Sequence, residues 1–539
     1  MKNTTSKILK ILLLAIIAMT IAGCTPKKWT WDSHLSSPES MTKETKFFLQ
    51  KIVIEGIPST VTALKITRPV NGAVFPSEIA APQIIWNDED PDSRSWFIAF
   101  TFENGRAPIY VYSSTTSYEP NRNLWETIKT NSVKAPATIS IYGFKNKDGK
   151  PVATAASSVN IRTSTDPVDG AILYRQVPLP FKVGVKTFRK LKWRLGDISS
   201  YNEPPVILEN LNTCANCHQG SKDGSLISME LNYKGDSGAQ FIAKVSENIS
   251  LSDKDFMTWT DYPKSVVLPK TRGLFARLSP SGKYIASTVN EISYSAVTNS
   301  GKYSQLFFPT YGILACYSTD TKEIKALPGA ASLDYIQTNP AWSPDEKAIT
   351  FARSETMNKY HEDVFKIKTS FENKNIHELN EQFPVQYDLY TIPFNAGTGG
   401  QAKPLKGASN NGKSNYFPRY SPDSKWVVFT QSKTGIMLQP DSELFIVQAK
   451  GGVPRKMNCN RTSFNSWHSF SPNGKWMIFS SKVNSEYTEI FMTHIDENGT
   501  DSPPVLLSRF SSNKYAANLP EFLNIRPDAI KSIHVSNHN

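Results

Sequence analysis

One strand–turn–strand string recurs through the second half of this chain and constrains its fold more than any other feature. The copies are Ala276-Arg-Leu-Ser279-Pro-Ser-Gly-Lys-Tyr-Ile285-Ala, Pro340-Ala-Trp-Ser343-Pro-Asp-Glu-Lys-Ala-Ile349-Thr-Phe351, Pro418-Arg-Tyr-Ser421-Pro-Asp-Ser-Lys-Trp-Val-Val-Phe429 and His468-Ser-Phe-Ser471-Pro-Asn-Gly-Lys-Trp-Met-Ile-Phe479. Pro presets φ at the second turn position, Asp or Asn bonds back to the backbone, and Gly admits positive φ. Each copy is followed by a second strand pair, as at residues 443–455 and 489–499. Four strands repeated every ~50 to 80 residues is the period of a propeller blade. The 35 Pro and 28 Gly suit a turn-rich β protein, and 539 residues imply more than one domain.

The blade strings resemble those of the TolB family of periplasmic propellers over roughly residues 165 to 525. The resemblance implies a propeller scaffold and a protein-binding role in the cell envelope. The blade turn marks a fold and is nearly silent about function, because many propellers share it.

Chemistry enters at Cys214-Ala-Asn-Cys217-His218, the C-x-x-C-H signature of a covalently attached c-type haem. Cys214 and Cys217 would form thioethers to the porphyrin, and His218 would be the proximal iron ligand. With five Cys and eight His in the chain, chance produces the string with odds on the order of one in a thousand. The motif also falls on the repeat. His218-Gln-Gly-Ser221-Lys-Asp223-Gly224 aligns as a fifth copy, giving Ser-to-Ser spacings of 58, 64, 78 and 50. The haem is therefore expected on a blade's own first strand pair and turn region, near the propeller mouth. Residues 166–175 and 192–197 read as parts of a further blade, closed by residues near 510–525, which makes six blades.

The alignment also names candidates for the second iron ligand. His468 occupies the place of His218 in another copy, where the remaining copies have Ala276, Pro340 and Pro418. The alternative for His468 is a hydrogen-bonded residue lining the channel. Met229 is the competing ligand, since Met serves many c-type haems. Its register matches Phe351, Phe429 and Phe479, which makes it equally a core residue placed opposite His218. Met257 and an open, water-ligated iron complete the options.

The N-terminus sets the compartment. Lys2, Lys7 and Lys10 precede an apolar run from Ile11 to Ile21, and Ile21-Ala-Gly-Cys24 resembles a bacterial lipobox. Residues 1–23 then form a lipoprotein signal peptide, Cys24 carries lipid, and 24–44 form a polar tether. The expected location is the cell envelope, lipid-anchored at the outer membrane and facing the periplasm. Of the other cysteines, Cys316 and Cys459 are either paired, as an oxidising compartment permits, or buried free thiols.

Residues 45–165 show short alternating runs: 61–67, 83–86, 96–102, 109–113, 138–144 and 152–161. Turn residues separate them at the spacing of a β-sandwich, resembling an immunoglobulin or fibronectin type III module. The fold class is thus mainly β, an N-terminal β-sandwich followed by a TolB-like, six-bladed β-propeller over 166–525 and a C-terminal tail over 526–539. Asp88, Asp90 and Asp92 have the composition of a calcium loop but read as a turn. His361, His494, His534 and His538 lack a second ligand set and read as solvated. Trp342, Trp426, Trp467 and Trp476 read as blade contacts rather than a sugar platform.

A formal charge of +12 without a basic run excludes a nucleic-acid arm and suits an acidic redox partner or other envelope proteins, with membrane contact through the lipid alone. Three functions follow. The first is a redox protein with one haem c whose iron cycles between Fe(III) and Fe(II). The second is a binding scaffold lipoprotein. The third is a haem peroxidase-type enzyme, which needs a vacant distal site.

Overall fold

The computed structural model describes residues 30–31, 51, 61–148, 150–184, 187–263, 270–297, 301, 306–356, 370–372, 376–382 and 384–536. Cys24, the signal segment, His361 and His538 lie outside the described residues. The chain forms two compact units, one containing Gln83–Thr163 and the segment before residue 72, the other containing Gly72–Pro82 and Ser164–Asn539.

In the first unit, one sheet runs in the order Thr30–Trp31, Ile109–Ser113, Ser95–Phe102, Ala137–Lys147, Lys150–Ser164, Thr62–Ala63. A second sheet pairs Lys65–Arg68 with Ile84–Asn87 and Ile84–Asn87 with Ser117–Tyr118. The expected strands are present because their apolar side chains cluster, with Phe97, Ala99, Tyr110, Tyr142 and Phe144 forming a buried core. An unexpected helix spans Arg122–Asn131. The Asn121 side chain caps it by accepting from the Leu124 N–H at 2.9 Å, and it buries Leu124, Trp125 and Ile128 on one face. The aspartates at 88–92 form turns. Asp90 N–H donates to Asp88 Oδ1 at 3.0 Å and Asp92 N–H to Asp90 Oδ1 at 2.9 Å, while Trp96 Nε1–H donates to Asp88 Oδ2 at 2.8 Å.

The second unit is a six-bladed propeller. Its innermost strands, from blade 1 to blade 6, are Tyr515–Leu523, Ala215–Gly220, Leu274–Leu278, Tyr335–Trp342, Ser414–Tyr420 and Asn465–Phe470. Blade 1 mixes the two ends of the unit. Its inner strand Tyr515–Leu523 pairs antiparallel with Ala171–Pro178, followed by Lys192–Gly196 and Val206–Glu209. The last strand of the ring thus closes it onto the first, a pairing that removes a free edge. The residues after 525, expected as a tail, include Ser532–Val535, which pairs in parallel with Asn248–Leu251.

The motif serine explains the repeat. In blade 2, Ser221 Oγ donates to Asp223 Oδ1 at 2.6 Å and accepts from the Leu226 N–H at 3.0 Å, so one hydroxyl ties both ends of the turn. Ser343 with Asp345, Ser421 with Asp423 and Ser471 with Asn473 repeat the donation at 2.7, 2.5 and 2.7 Å. The following residue has positive φ in every copy: Gly224, Gly282 and Gly474, but also Glu346 and Ser424, at 58° and 63°. A non-glycine residue there carries a steric cost of roughly 1–2 kcal/mol, part of which glycine's chain entropy would return. Ser424→Gly is therefore expected to raise stability by about 0.5 kcal/mol, read as a higher midpoint in urea unfolding. A lower midpoint would contradict this reading of the turn.

Candidate functional site

Every inner strand carries a β-bulge, seen as a register shift against its partner strand, and in blade 2 it falls at Asn216–Cys217, one residue earlier relative to the motif serine than in blades 3 to 6. In five blades the residue at the bulge is left-handed: Phe275, Asn339, Phe417, Trp467 and Leu519, with φ between 50° and 55°. Such backbone costs on the order of 1–3 kcal/mol per residue in a bulky side chain. It turns Phe275, Phe417, Trp467 and Leu519 toward the central channel, where Phe275 and Phe417 meet edge to face at 5.3 Å. Blade 2 has Cys217 at this place, and Cys217 stays outside the left-handed region.

Two positions further along each strand lies a second ring: Glu521, Gln219, Arg277, Ala341, Arg419 and Ser469, one residue per blade. Arg277 Nη1 stands 3.5 Å from Glu521 Oε2, and Arg419 Nη2 bonds the same oxygen. Burial, with Arg277 beside it, pushes the Arg419 guanidinium down to about 10. This ring separates two spaces. Toward the turns lies a mouth of about 300 Å³, walled by residues that include Trp342, Tyr420, Phe470 and Phe522. On the inner side lies a cavity of about 40 Å³ lined by Cys217, His218, His468, the aromatic layer and the charged ring.

The two histidines occupy the same structural place. His218 Nε2 lies 3.2 Å from the Leu173 carbonyl of blade 1, and His468 Nε2 lies 3.0 Å from the Val428 carbonyl of blade 5. Each therefore donates Nε2–H to the second strand of the preceding blade. Each leaves Nδ1 buried without a hydrogen-bond partner. Burial holds both rings neutral, with His218 down to about 4 and His468 to about 3. In the ring of blades, blade 1 stands between them and contributes Leu519, Pro520 and Glu521 to the same cavity.

Both motif cysteines are partly exposed. Burial of the sulfur raises both pKa values, that of Cys217 to about 12 with the Glu230 carboxylate adding to the effect. Between them, Arg175 Nη1 donates to the Ala215 carbonyl at 2.7 Å and to Asn216 Oδ1 at 2.8 Å, which fixes the x-x segment. The position of the motif departs from expectation. Cys214–His218 runs along the inner strand at mid-channel, and the turn begins only at Ser221, so the motif is not at the mouth.

Met229 pairs directly opposite His218 and is fully buried in the apolar core shared by blades 1 and 2. It sits as a core residue opposite His218 and is not among the residues that line the cavity. Met257 likewise sits in a core, beside Trp259. Cys316 and Cys459 are free thiols in separate cores of blades 3 and 5, so they do not pair. His494, expected to be solvated, instead bonds Asp166 at 2.6 Å and packs on Trp476. Trp342 donates its Nε1–H to the Arg277 carbonyl at 2.9 Å, a contact between blades.

Arg175, Arg277, Arg419, Glu230 and Glu521 were not singled out by sequence reasoning. The only signal was Arg two places before the motif serine in two copies, at 277 and 419. Among the described residues no group of three or more His, Cys, Asp or Glu is disposed to hold a bare metal ion, and no helix is long and apolar enough to cross a membrane.

The donor types fit a c-type haem: two thiols at motif spacing, and two imidazoles whose Nδ1 atoms lack partners. The closed cavity does not fit the porphyrin itself, since cofactor-sized ligands occupy roughly 300–1,000 Å³.

No protein-family model matches the chain, and no curated protein matches it. Among solved structures, it is similar to an oligogalacturonate lyase from Vibrio parahaemolyticus, with 10% identity and a TM-score of 0.35, over 62% of this chain and 73% of that one. An oligogalacturonate lyase in complex with manganese gives 10% identity and a TM-score of 0.34, over 54% of this chain and 66%, just under two thirds, of that one. A putative 6-phosphogluconolactonase from Bacteroides uniformis gives 14% and 0.31, over 80% and 98%. The propeller rests on the strand order described above and not on these likenesses.

Proposed function

We propose that the chain is a redox protein of the bacterial cell envelope, lipid-anchored through Cys24, with one haem c held by Cys214, Cys217 and His218. The observation that carries this reading is the C-x-x-C-H spacing of Cys214, Cys217 and His218; Cys217, His218 and His468 line one cavity, which would have to enlarge to take a porphyrin. An unsatisfied buried nitrogen costs on the order of 1–3 kcal/mol, and His218 and His468, which both line this cavity, each have one at Nδ1. His468 is the proposed second iron ligand. A haem in this site would supply a one-electron couple, tuned by the axial ligands and burial.

The chain's own part is to hold and insulate. Arg175 anchors the Ala215–Asn216 backbone, and the aromatic layer of Phe275, Phe417 and Trp467 excludes water from the iron side. Cys214 and Cys217 would hold the group covalently through thioethers. Burial raises the Cys217 pKa, which disfavours its thiolate in this fold.

The test is a spectroelectrochemical titration of the mature chain made alongside c-type maturation machinery. A reversible one-electron change in the haem bands is expected, and it should vanish in Cys217→Ala. A chain whose visible spectrum shows no redox-active band would refute the reading. A second reading, a binding scaffold, is favoured by the open 300 Å³ mouth. It requires partner capture to be unaffected by Cys214→Ala.

A further inference from the structure

We propose that the channel mouth binds a small molecule bearing a carboxylate, held by Arg277 and Arg419 at its floor. This site lies on the opposite side of the charged ring from Cys217 and does not rest on the haem reading. A guanidinium carries about five N–H donors in a planar fork matched to carboxylate geometry. Among the described residues, the guanidinium bonds of Arg277 and Arg419 go to Glu521 alone, and both use the same oxygen, Oε2. Two cations share one hydrogen-bonded anion at the floor, and the next carboxylate, the buried Glu230, is taken up by the Ala276 N–H. The imbalance is built into the ring, because the other three blades contribute only Gln219, Ala341 and Ser469 at that height.

Room and shape agree with the charge. Blades 3 and 5 supply the arginines, and between them blade 4 has Ala341, whose small side chain leaves the approach open. Above the floor the wall is apolar, with Tyr420, Phe470 and Phe522, and Lys222 stands at the rim. The space of about 300 Å³ lies at the lower limit for small-molecule sites. An apolar body with a terminal carboxylate satisfies both the wall and the floor. A second carboxylate would also give each arginine its own partner and relieve the repulsion between them.

Isothermal titration calorimetry with N-acetylphenylalanine, benzoate, inorganic phosphate and N-acetylphenylalanine amide tests this directly. The native chain as isolated from c-type maturation conditions and the Cys214→Ala/Cys217→Ala form are both titrated. Both are expected to bind the carboxylates at least ~10-fold more tightly than the amide, a preference that charge-assisted pairing supplies. Arg419→Gln should cut carboxylate affinity by ~10-fold. The acid–amide comparison needs no variant, so it stands even if Arg419→Gln does not fold. Equal binding of acid and amide, binding of neither carboxylate, or a preference for phosphate overturns the proposal. Carboxylate binding confined to the haem-free form also overturns it, since the arginines would then serve the haem's own propionates.

Discussion

A chain ending at Lys514 is expected to lose the cooperative fold of the propeller. The missing segment supplies the inner strand of blade 1, paired at seven positions along Ala171–Pro178 from Ala171↔Leu523 to Pro178↔Tyr515. Every residue of Ala171–Pro178 is buried, so its loss would expose an apolar strand with an unpaired edge. Phe522 and Leu523 alone bury side chains worth roughly 1.5–3 kcal/mol each, against a typical total stability of about 5–15 kcal/mol. Glu521 would go as well, leaving Arg277 and Arg419 without their shared carboxylate, a loss that costs about 3–5 kcal/mol where a buried pair is broken. Far-UV circular dichroism during urea unfolding should show the propeller transition abolished or broadened. A transition at the native midpoint would mean that residues 515–536 are an accessory rather than the closure.

Acid should destabilise the haem-free protein through two residues in particular. His218 and His468 titrate near 4 and 3 in the folded chain because burial disfavours their charged forms. In the unfolded chain each titrates near about 6.5. Below that pH the unfolded state binds protons that the folded state does not, so stability present above about pH 6.5 falls as the pH drops toward 4 and then 3. At about 1.4 kcal/mol per unit, the His218 shift corresponds to a loss on the order of 3 kcal/mol, and the His468 shift to one at least as large. His468→Gln keeps an amide donor for the Val428 carbonyl and removes the titration. In the Cys214→Ala/Cys217→Ala background it should flatten the fall in urea midpoint between pH 6.5 and 4. An unchanged slope would show that the acid sensitivity lies elsewhere.

The six blades were legible because the turn has local chemistry. A serine hydroxyl bound at both ends and an aspartate beside it leave a fixed string in the sequence. The closure near 510–525 was legible from counting, since blade 1 lacked an inner strand. The helix at Arg122–Asn131 was missed because only three of its buried residues, Leu124, Trp125 and Ile128, are apolar, too few to stand out from the strand pattern around it. The depth of the haem motif was misjudged for a related reason. Alignment on Ser221 gives the order of residues along the strand, but a two-residue bulge decides which of them faces the channel. The charged ring was invisible because it is assembled across blades: Arg277, Arg419 and Glu521 lie up to 244 residues apart. His468 was found because it repeats the place of His218, and the structure gives both the same bond to the preceding blade.

The central claim is that Cys214 and Cys217 carry a haem, and a pyridine haemochrome spectrum of the mature chain after denaturation tests it most directly. The expected result is a haem band that stays with the polypeptide through denaturation and acid–acetone extraction and is absent from Cys214→Ala/Cys217→Ala. A colourless chain, or haem that extracts away from it, would contradict the claim.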